Sequence, residues 1–212
     1  MVFLPPHWNL RESKHAAPMI LTMRSAVTAG CLAVLFAASA AAFEPASGHG
    51  GKPVVLSATG TIQVAFTPGD DAGKLIADAI NGAHRQVLVQ AFSFTHREIA
   101  EALIAARRRG VDVKVIVDKE QTEKIPTSMI ARIAVAGVPV FLDAAHTSAH
   151  NKVMIIDAGS MEATLVTGSF NFTQAAQYKN AENVLVIRGN TALTEFYLKN
   201  WQQHYEHSQP YR

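Results

Sequence analysis

The chain has a single cysteine in 212 residues, Cys31, and it lies inside an N-terminal apolar stretch. Intrachain disulfides and cysteine-rich metal centres are therefore excluded, and no thiol is left beyond that stretch to act as a nucleophile. Charged residues make up only 17% of the chain and aromatic residues 8%. The formal charge of +2 comes from the N-terminal segment, where Arg11, Lys14 and Arg24 are set against Glu12 alone. From Phe43 onward the sequence holds sixteen basic and sixteen acidic residues. A generally basic binder of polyanions is thus excluded, and any such affinity must come from a local groove. No carboxylate cluster with the spacing of a magnesium or calcium site is evident. Beyond residue 42 no apolar run has the length of a bilayer span.

What is present begins with a leader. Met23 to Ala42 reads MRSAVTAGCLAVLFAASAAA, a basic residue followed by an apolar run and a series of small residues. That is the pattern of a secretory signal peptide with cleavage after Ala42. Met23 is the expected start, so residues 1–42 are read as leader and signal peptide. Most of the apolar stretch follows Cys31 rather than preceding it, which argues against lipoprotein cleavage; a retained N-terminal anchor is the alternative. The mature protein is expected to be periplasmic or secreted, with no stable membrane insertion. Residues 43–60, rich in Gly, Pro and Ser at their start, are expected to be flexible, and 61–212 to form one domain.

Within 61–212 the pattern alternates between strand and helix. Thr61–Phe66 reads as a strand ended by Pro68-Gly69, and Asp70 or Asp71 as the cap of a helix to about Ala83. Val87–Phe94 is a strand. Thr95 with Glu98 suggests a capping box for a helix ending in Arg107-Arg108-Arg109 and Gly110. Val111–Asp118 is a β-branched, buried strand, which completes a βαβ pattern. Lys119–Pro126 reads as a loop, Ser128–Ala136 as a short helix and Val138–Leu142 as a strand. Val153–Ile156 and Ala163–Thr167 are expected to pair around Ala158-Gly159-Ser160. Asn183–Arg188 is a further strand and Thr191–Tyr205 an amphipathic helix. The fold class is α/β.

The chemistry concentrates between His150 and Asn183. His150 and Lys152 are one residue apart, so on a strand both project from the same face. Four apolar residues lead to Asp157, and Gly168-Ser169-Phe170-Asn171 again sets two polar side chains, Ser169 and Asn171, on one face. Glu182 opens the next strand. A neutral imidazole is a competent nucleophile towards phosphorus. An ammonium, an amide and a hydroxyl suit the oxygens over which a phosphoryl transition state spreads its charge. A carboxylate can hold the imidazole in its reactive tautomer.

In this order and spacing the segment resembles the phospholipase D superfamily, whose motif is H-x-K-x4-D followed by G-S-x-N. His150-Asn151-Lys152 with Asp157, and Gly168-Ser169-Phe170-Asn171, match it directly. Phe172-Thr173, Ala175-Ala176, Asn180 and Glu182-Asn183 are similar to the small secreted bacterial endonucleases of that superfamily, and the likeness extends over nearly the whole of 61–212. The stretch Ala158–Thr167 is longer than the family's usual spacer by an even number of residues. That keeps the strands in phase but is expected to alter the rim of the site.

The resemblance implies a mixed β-sheet flanked by helices, with 61–212 as the catalytic domain. It implies that His150 forms a phosphohistidine, that Lys152, Asn171 and Ser169 bind the phosphate, and that Glu182 orients the histidine. Asp157 belongs to the site's motif with a mainly structural part. No metal and no cofactor are implied. Since this chain carries one motif where larger members carry two, a homodimer sharing one site is expected, with each subunit contributing His150. The implied function is an endonuclease cutting DNA, with RNA as a further substrate. A phospholipase D-type lipid phosphodiesterase is the alternative, and a catalytically silent nucleic-acid-binding dimer a third reading. No basic amphipathic docking helix favours the lipid reading.

Other residues carry less. His146 and His150 lack the helical pattern and intervening glutamate of a zinc protease. Arg107–Arg109 sit where cations meet a helix dipole. Phe92 and Phe94 are read as core more readily than as groove, and His204 and His207 as exposed.

Overall fold

The structure, a computed structural model, describes residues 53–212; the expected leader and the start of the expected flexible segment lie outside the described residues. The elements are β1 (Thr61–Thr67), α1 (Ala72–Asn81), β2 (Gln86–Ala91), α2 (Arg97–Arg108), β3 (Asp112–Asp118), α3 (Lys119–Lys124) and α4 (Ile130–Val135), then β4 (Val140–Asp143), β5 (Lys152–Ile156), β6 (Thr164–Gly168), α5 (Gln174–Tyr178), β7 (Glu182–Arg188), α6 (Thr191–His207) and β8 (Gln209–Pro210). The strands form one eight-stranded sheet in the order β1-β7-β6-β5-β2-β3-β4-β8. β2, β3 and β4 run parallel, and every other neighbouring pair is antiparallel. This is the mixed, helix-flanked sheet that the resemblance implies.

Two apolar layers hold the helices to the sheet. On one face Ile76, Ile80, Ile99, Leu103 and Ile133, from α1, α2 and α4, pack against Val87, Val89, Val113 and Val115. On the other, Leu88, Ile116, Val153, Ile155 and Leu165 meet Trp201, Leu193 and Tyr197 of α6. The two sets alternate along β2, β3 and β5, as the twofold period of a strand buried on both faces requires. Trp201 also donates its indole N–H to the Val89 carbonyl at 3.0 Å, pinning α6 to the sheet.

Several expectations are corrected. The helix after β2 begins at Arg97, and Thr95 does not cap it: its N-cap is His96, without a side-chain bond, while Thr95 Oγ1 accepts from Gln174 N–H. Lys119–Lys124 is a short helix rather than a loop, because Asp118 accepts from Gln121 N–H and caps it. Residues 57–59 are tied down, with the Ser57 carbonyl accepting from buried Asn190 at 3.0 Å. His204, expected to be exposed, is turned onto the buried carboxylate of Asp143, and His207, exposed as expected, reaches the same carboxylate. The long β5–β6 connection, expected to shape the rim of the site, lies at the opposite edge of the sheet from His150, since β5 runs away from that histidine and β6 returns.

His96 is 3% exposed, and neither ring nitrogen has a hydrogen-bond partner. Its ring stands where a Cβ on Gly73 would come within 2.3 Å, so Gly73 leaves the space it occupies. Burial pushes its pKa below the usual 6.5, with the Asp71 carboxylate opposing in part. A base held neutral in the fold but free to protonate when unfolded makes stability fall as pH drops below about 6.5, levelling off below the folded-state value. Thermal denaturation of native protein and His96→Gln across pH 7.5 to 5 should show a flatter dependence in the variant.

Candidate active site

The C-terminal edge of the parallel strands collects the chemistry, as in open α/β sheets generally. Lys152, the first residue of β5, pairs with Ala91, the last of β2. β5 and β6 pair Met154 with Val166; two residues further along, the same register sets Lys152 level with Gly168. The H-x-K and G-S-x-N segments thus emerge side by side from neighbouring strands. Glu182 starts β7 opposite Thr67 at this same edge.

His150 is exposed at the mouth of this edge, and Lys152 is buried to 8% exposure beneath it. Lys152 Nζ lies 2.9 Å from His150 Nδ1 and donates to the His150 carbonyl at 2.7 Å. An ammonium has only donors, so His150 Nδ1 is the acceptor here and the ring proton sits on Nε2. Phe92 packs its ring 4.3 Å from the His150 ring, centroid to centroid, and lies under Lys152 Nζ at 5.1 Å. The two phenylalanines therefore part: Phe94 is core at 2% exposure, whereas Phe92 is a wall of the site. Burial lowers the Lys152 pKa from 10.5 to about 8, against an opposing pull from the Glu182 carboxylate.

The G-S-x-N turn is built against β7. Ser169 and Phe170 N–H both donate to the Asn183 carbonyl, at 3.1 and 3.2 Å. A side chain at residue 168 would place its Cβ 2.3 Å from that carbonyl oxygen, and φ there is +148°. Only glycine fits. Ser169 Oγ accepts from the Asn183 backbone and side-chain N–H groups at 3.1 and 3.2 Å. Asn171 Oδ1 is buried without a protein partner; an amide oxygen only accepts, so the phosphate-binding part expected of Asn171 rests on its Nδ2. Glu182 accepts from Asn180 Nδ2 at 3.0 Å.

Asp157 is not brought to this group. It follows the far end of β5, a strand of five residues, on the order of 17 Å from the His150 end. Its carboxylate is 4% exposed and accepts from His84, Arg85 and Gln86 N–H at 2.8, 2.7 and 2.8 Å. Its inclusion among catalytic residues is corrected accordingly: it staples the turn before β2 to the end of β5. Sequence reading missed two supports. Asp118, besides capping α3, accepts from Ala149 N–H at 2.9 Å and so anchors the approach to His150. Phe92, read as core more readily than as groove, is the other; it follows the end of β2, a strand buried on both faces, so alternation does not single it out.

The geometry meets its counterparts among known proteins. Residues 76–204 match the family model described as cardiolipin synthase, PLD-like domain. A phospholipase D of Rickettsia bellii is 39% identical over 140 residues, 66% of this chain and 67% of that protein. A mitochondrial cardiolipin hydrolase of Xenopus laevis is 31% identical over 141 residues, 66% of this chain and 64% of its own. Among solved structures, Nuc from Salmonella typhimurium, a phospholipase D family member, is 38% identical with a TM-score of 0.67, covering 73% of this chain and 99% of that one. NucT from Helicobacter pylori is 25% identical with a TM-score of 0.62, covering 71% and 99%. On this fold, this motif and these relatives, the chain belongs to the phospholipase D superfamily and is a hydrolase of phosphodiester bonds.

Proposed function

We propose that the chain is an endonuclease that hydrolyses DNA, and RNA as a second substrate, through a phosphohistidine on His150 in a homodimer with one shared site. The observation that carries the nuclease reading is architectural: this chain covers 99% of both Nuc and NucT, so its domain matches theirs end to end. The phospholipase D naming of the Rickettsia relatives supports the second reading, a lipid phosphodiesterase using the same chemistry. Among the described residues no helix is long and apolar enough to cross a membrane.

In the proposed reaction an incoming phosphodiester draws the Lys152 ammonium off His150 Nδ1. The ring gives its Nε2 proton to water and takes one at Nδ1, where Glu182 holds it, and the freed Nε2 lone pair attacks phosphorus. A P–N bond forms, the P–O bond to the leaving alcohol breaks, and His150 of the second subunit protonates that oxygen. Water next attacks phosphorus, gives its proton to the second histidine, and releases His150. Lys152, Asn171 and Ser169 bind the non-bridging oxygens throughout. The strip of exposed Ile62, Val64 and Phe66 along edge strand β1 supports association, since a bare apolar edge is a liability for a monomer.

The deciding experiment incubates the protein with plasmid DNA in excess EDTA, beside His150→Ala and beside phosphatidylcholine vesicles assayed for choline release. Cutting by the native protein alone supports the nuclease. Choline release without cutting transfers the reading to lipids, and cutting that requires added magnesium overturns the phosphohistidine route.

Lys152 sets a further expectation. It binds phosphate as a cation, so kcat/KM should fall as pH rises through about 8, where the buried ammonium loses its proton. In Lys152→Arg, whose guanidinium stays charged, that alkaline limb should disappear from a pH–rate profile, whatever the absolute rate.

A further inference from the structure

Away from His150, four side chains converge on one point. Asp143 ends β4, His146 lies in the connection from β4 to β5, and His204 and His207 occupy the last turn of α6. Asp143 Oδ1 is 3.2 Å from His146 Nδ1, and Oδ2 is 2.8 Å from His204 Nδ1 and 3.2 Å from His207 Nε2. One ligand atom from each of the four lies within 4.8 Å of every other. The carboxylate is fully buried, and the three imidazoles are between 13% and 30% exposed. The sequence carries the pair of spacings D-x2-H and H-x2-H, and the latter puts two rings on one face of a helix.

We infer that Asp143, His146, His204 and His207 form a structural site for a divalent transition metal of the zinc class, which fastens the segment leading to His150 to the end of α6. Tetrahedral zinc with nitrogen and oxygen ligands holds its donor atoms about 3.3 Å apart. The two separations from Asp143 Oδ2, to His204 and His207, already lie near that edge length. The widest separation must close by about 1.5 Å, which side-chain torsions of the partly exposed rings can supply. Three imidazoles and one carboxylate are a borderline donor set, suited to zinc and unsuited to magnesium or calcium, which take oxygen.

A second observation points to the same place. Gln90, in β2, is 3% exposed, and neither atom of its amide has a protein partner. Together with Asp143 and His204 it lines a cavity of about 10 Å³. That is room for about one water molecule, and the unpartnered Gln90 amide brings polar atoms to an otherwise largely apolar floor beneath Asp143 and His204. The expected consequence is a staple. The ion would join β4, α6 and the segment 144–149, whose far end is held by Ala149 N–H on Asp118. A chain without cysteine beyond its leader would thus gain by metal the cross-link it does not make by disulfide.

The test uses the whole chain made without a histidine tag. Metal analysis should find about one zinc per chain. Protein stripped with a strong chelator should regain about 5–10 °C of melting temperature on adding zinc, and nothing on adding magnesium. Cobalt should give visible d–d absorption of four-coordinate intensity. His204→Gln and the more exposed His207→Gln should each lose the cobalt spectrum and the zinc response, while His84→Gln, outside the cluster, keeps both. Hydrogen exchange across 144–149 should slow when zinc is restored. A folded native protein with no bound metal and a melting temperature indifferent to zinc would overturn the site, leaving Asp143 as a hydrogen-bonding hub. An unchanged cobalt spectrum in folded His207→Gln would also overturn it. Metal content and melting are read without substrate, so their failure and a failure to cut DNA remain separate results.

Discussion

His150→Asn is expected to lower turnover by about 10⁴-fold or more while leaving the melting temperature within about 2 °C of native. The two effects separate because His150 is exposed and its described contacts are few: the Phe92 ring and the ammonium of Lys152. Asparagine cannot form the covalent intermediate, and the other described histidines at this edge are engaged elsewhere, His96 being buried and His146, His204 and His207 held on the Asp143 carboxylate. Mixing subunits then tests the shared site. If each dimer needs both His150 side chains, native and variant chains exchanged in equal amounts should retain about a quarter of native activity per total chain, because only native pairs work. Independent sites in each subunit would retain about half. A variant that still turned over at more than about one per cent of the native rate would remove His150 as the nucleophile.

Much of this was legible in the sequence, for physical reasons that also explain the rest. Val87–Phe94 and Val111–Asp118 announce themselves because strands buried on both faces must be nearly continuous in apolar residues. The H-x-K and G-S-x-N segments are legible because their spacing fixes their facing along a strand, and Gly168 is demanded by a carbonyl that a Cβ would strike. What stayed hidden depends on partners distant in the chain. Lys119–Lys124 buries none of its residues and so has no apolar period to read; its helix rests on the Asp118 cap. Thr95 looks like a helix cap until Gln174, seventy-nine residues away, takes its hydroxyl. The sheet order, with β5 inserted between β6 and β2, is set by packing, and only that order reveals that Asp157 meets the turn before β2. The four residues around Asp143 come from a strand end, a connection and a helix end. Their spacings are visible in the sequence, but their meeting is not.

Asp157→Ala is expected to cost about 3–5 kcal/mol, a fall in melting temperature of about 10 °C or more, with the specific activity of the remaining folded protein within a few-fold of native. Truncation leaves three backbone N–H groups, of His84, Arg85 and Gln86, without the carboxylate they share. It also forces alanine to hold φ at +50°, a conformation that asparagine and aspartate tolerate better. Asp157→Asn should therefore fall between native and alanine, keeping the backbone and part of the acceptor capacity but losing the charge. The pH dependence separates the terms. Burial raises the Asp157 pKa, but the three N–H donors outweigh it and hold the group below the usual 3.8. A carboxyl depressed in the fold contributes stability that is present above about 3.8 and is lost as pH falls through the folded value. In Asp157→Asn that acid-side loss should shrink, as read by denaturant titrations between pH 5 and 2. The discriminating measurement is turnover per folded molecule. A loss in Asp157→Asn comparable to that of His150→Asn would place the carboxylate in the chemistry, which its position at the far end of β5 forbids. Near-native turnover in a destabilised protein would show that the last residue of the H-x-K-x4-D motif works through the fold, holding β2 and β5 in the register that sets Lys152 against Ala91.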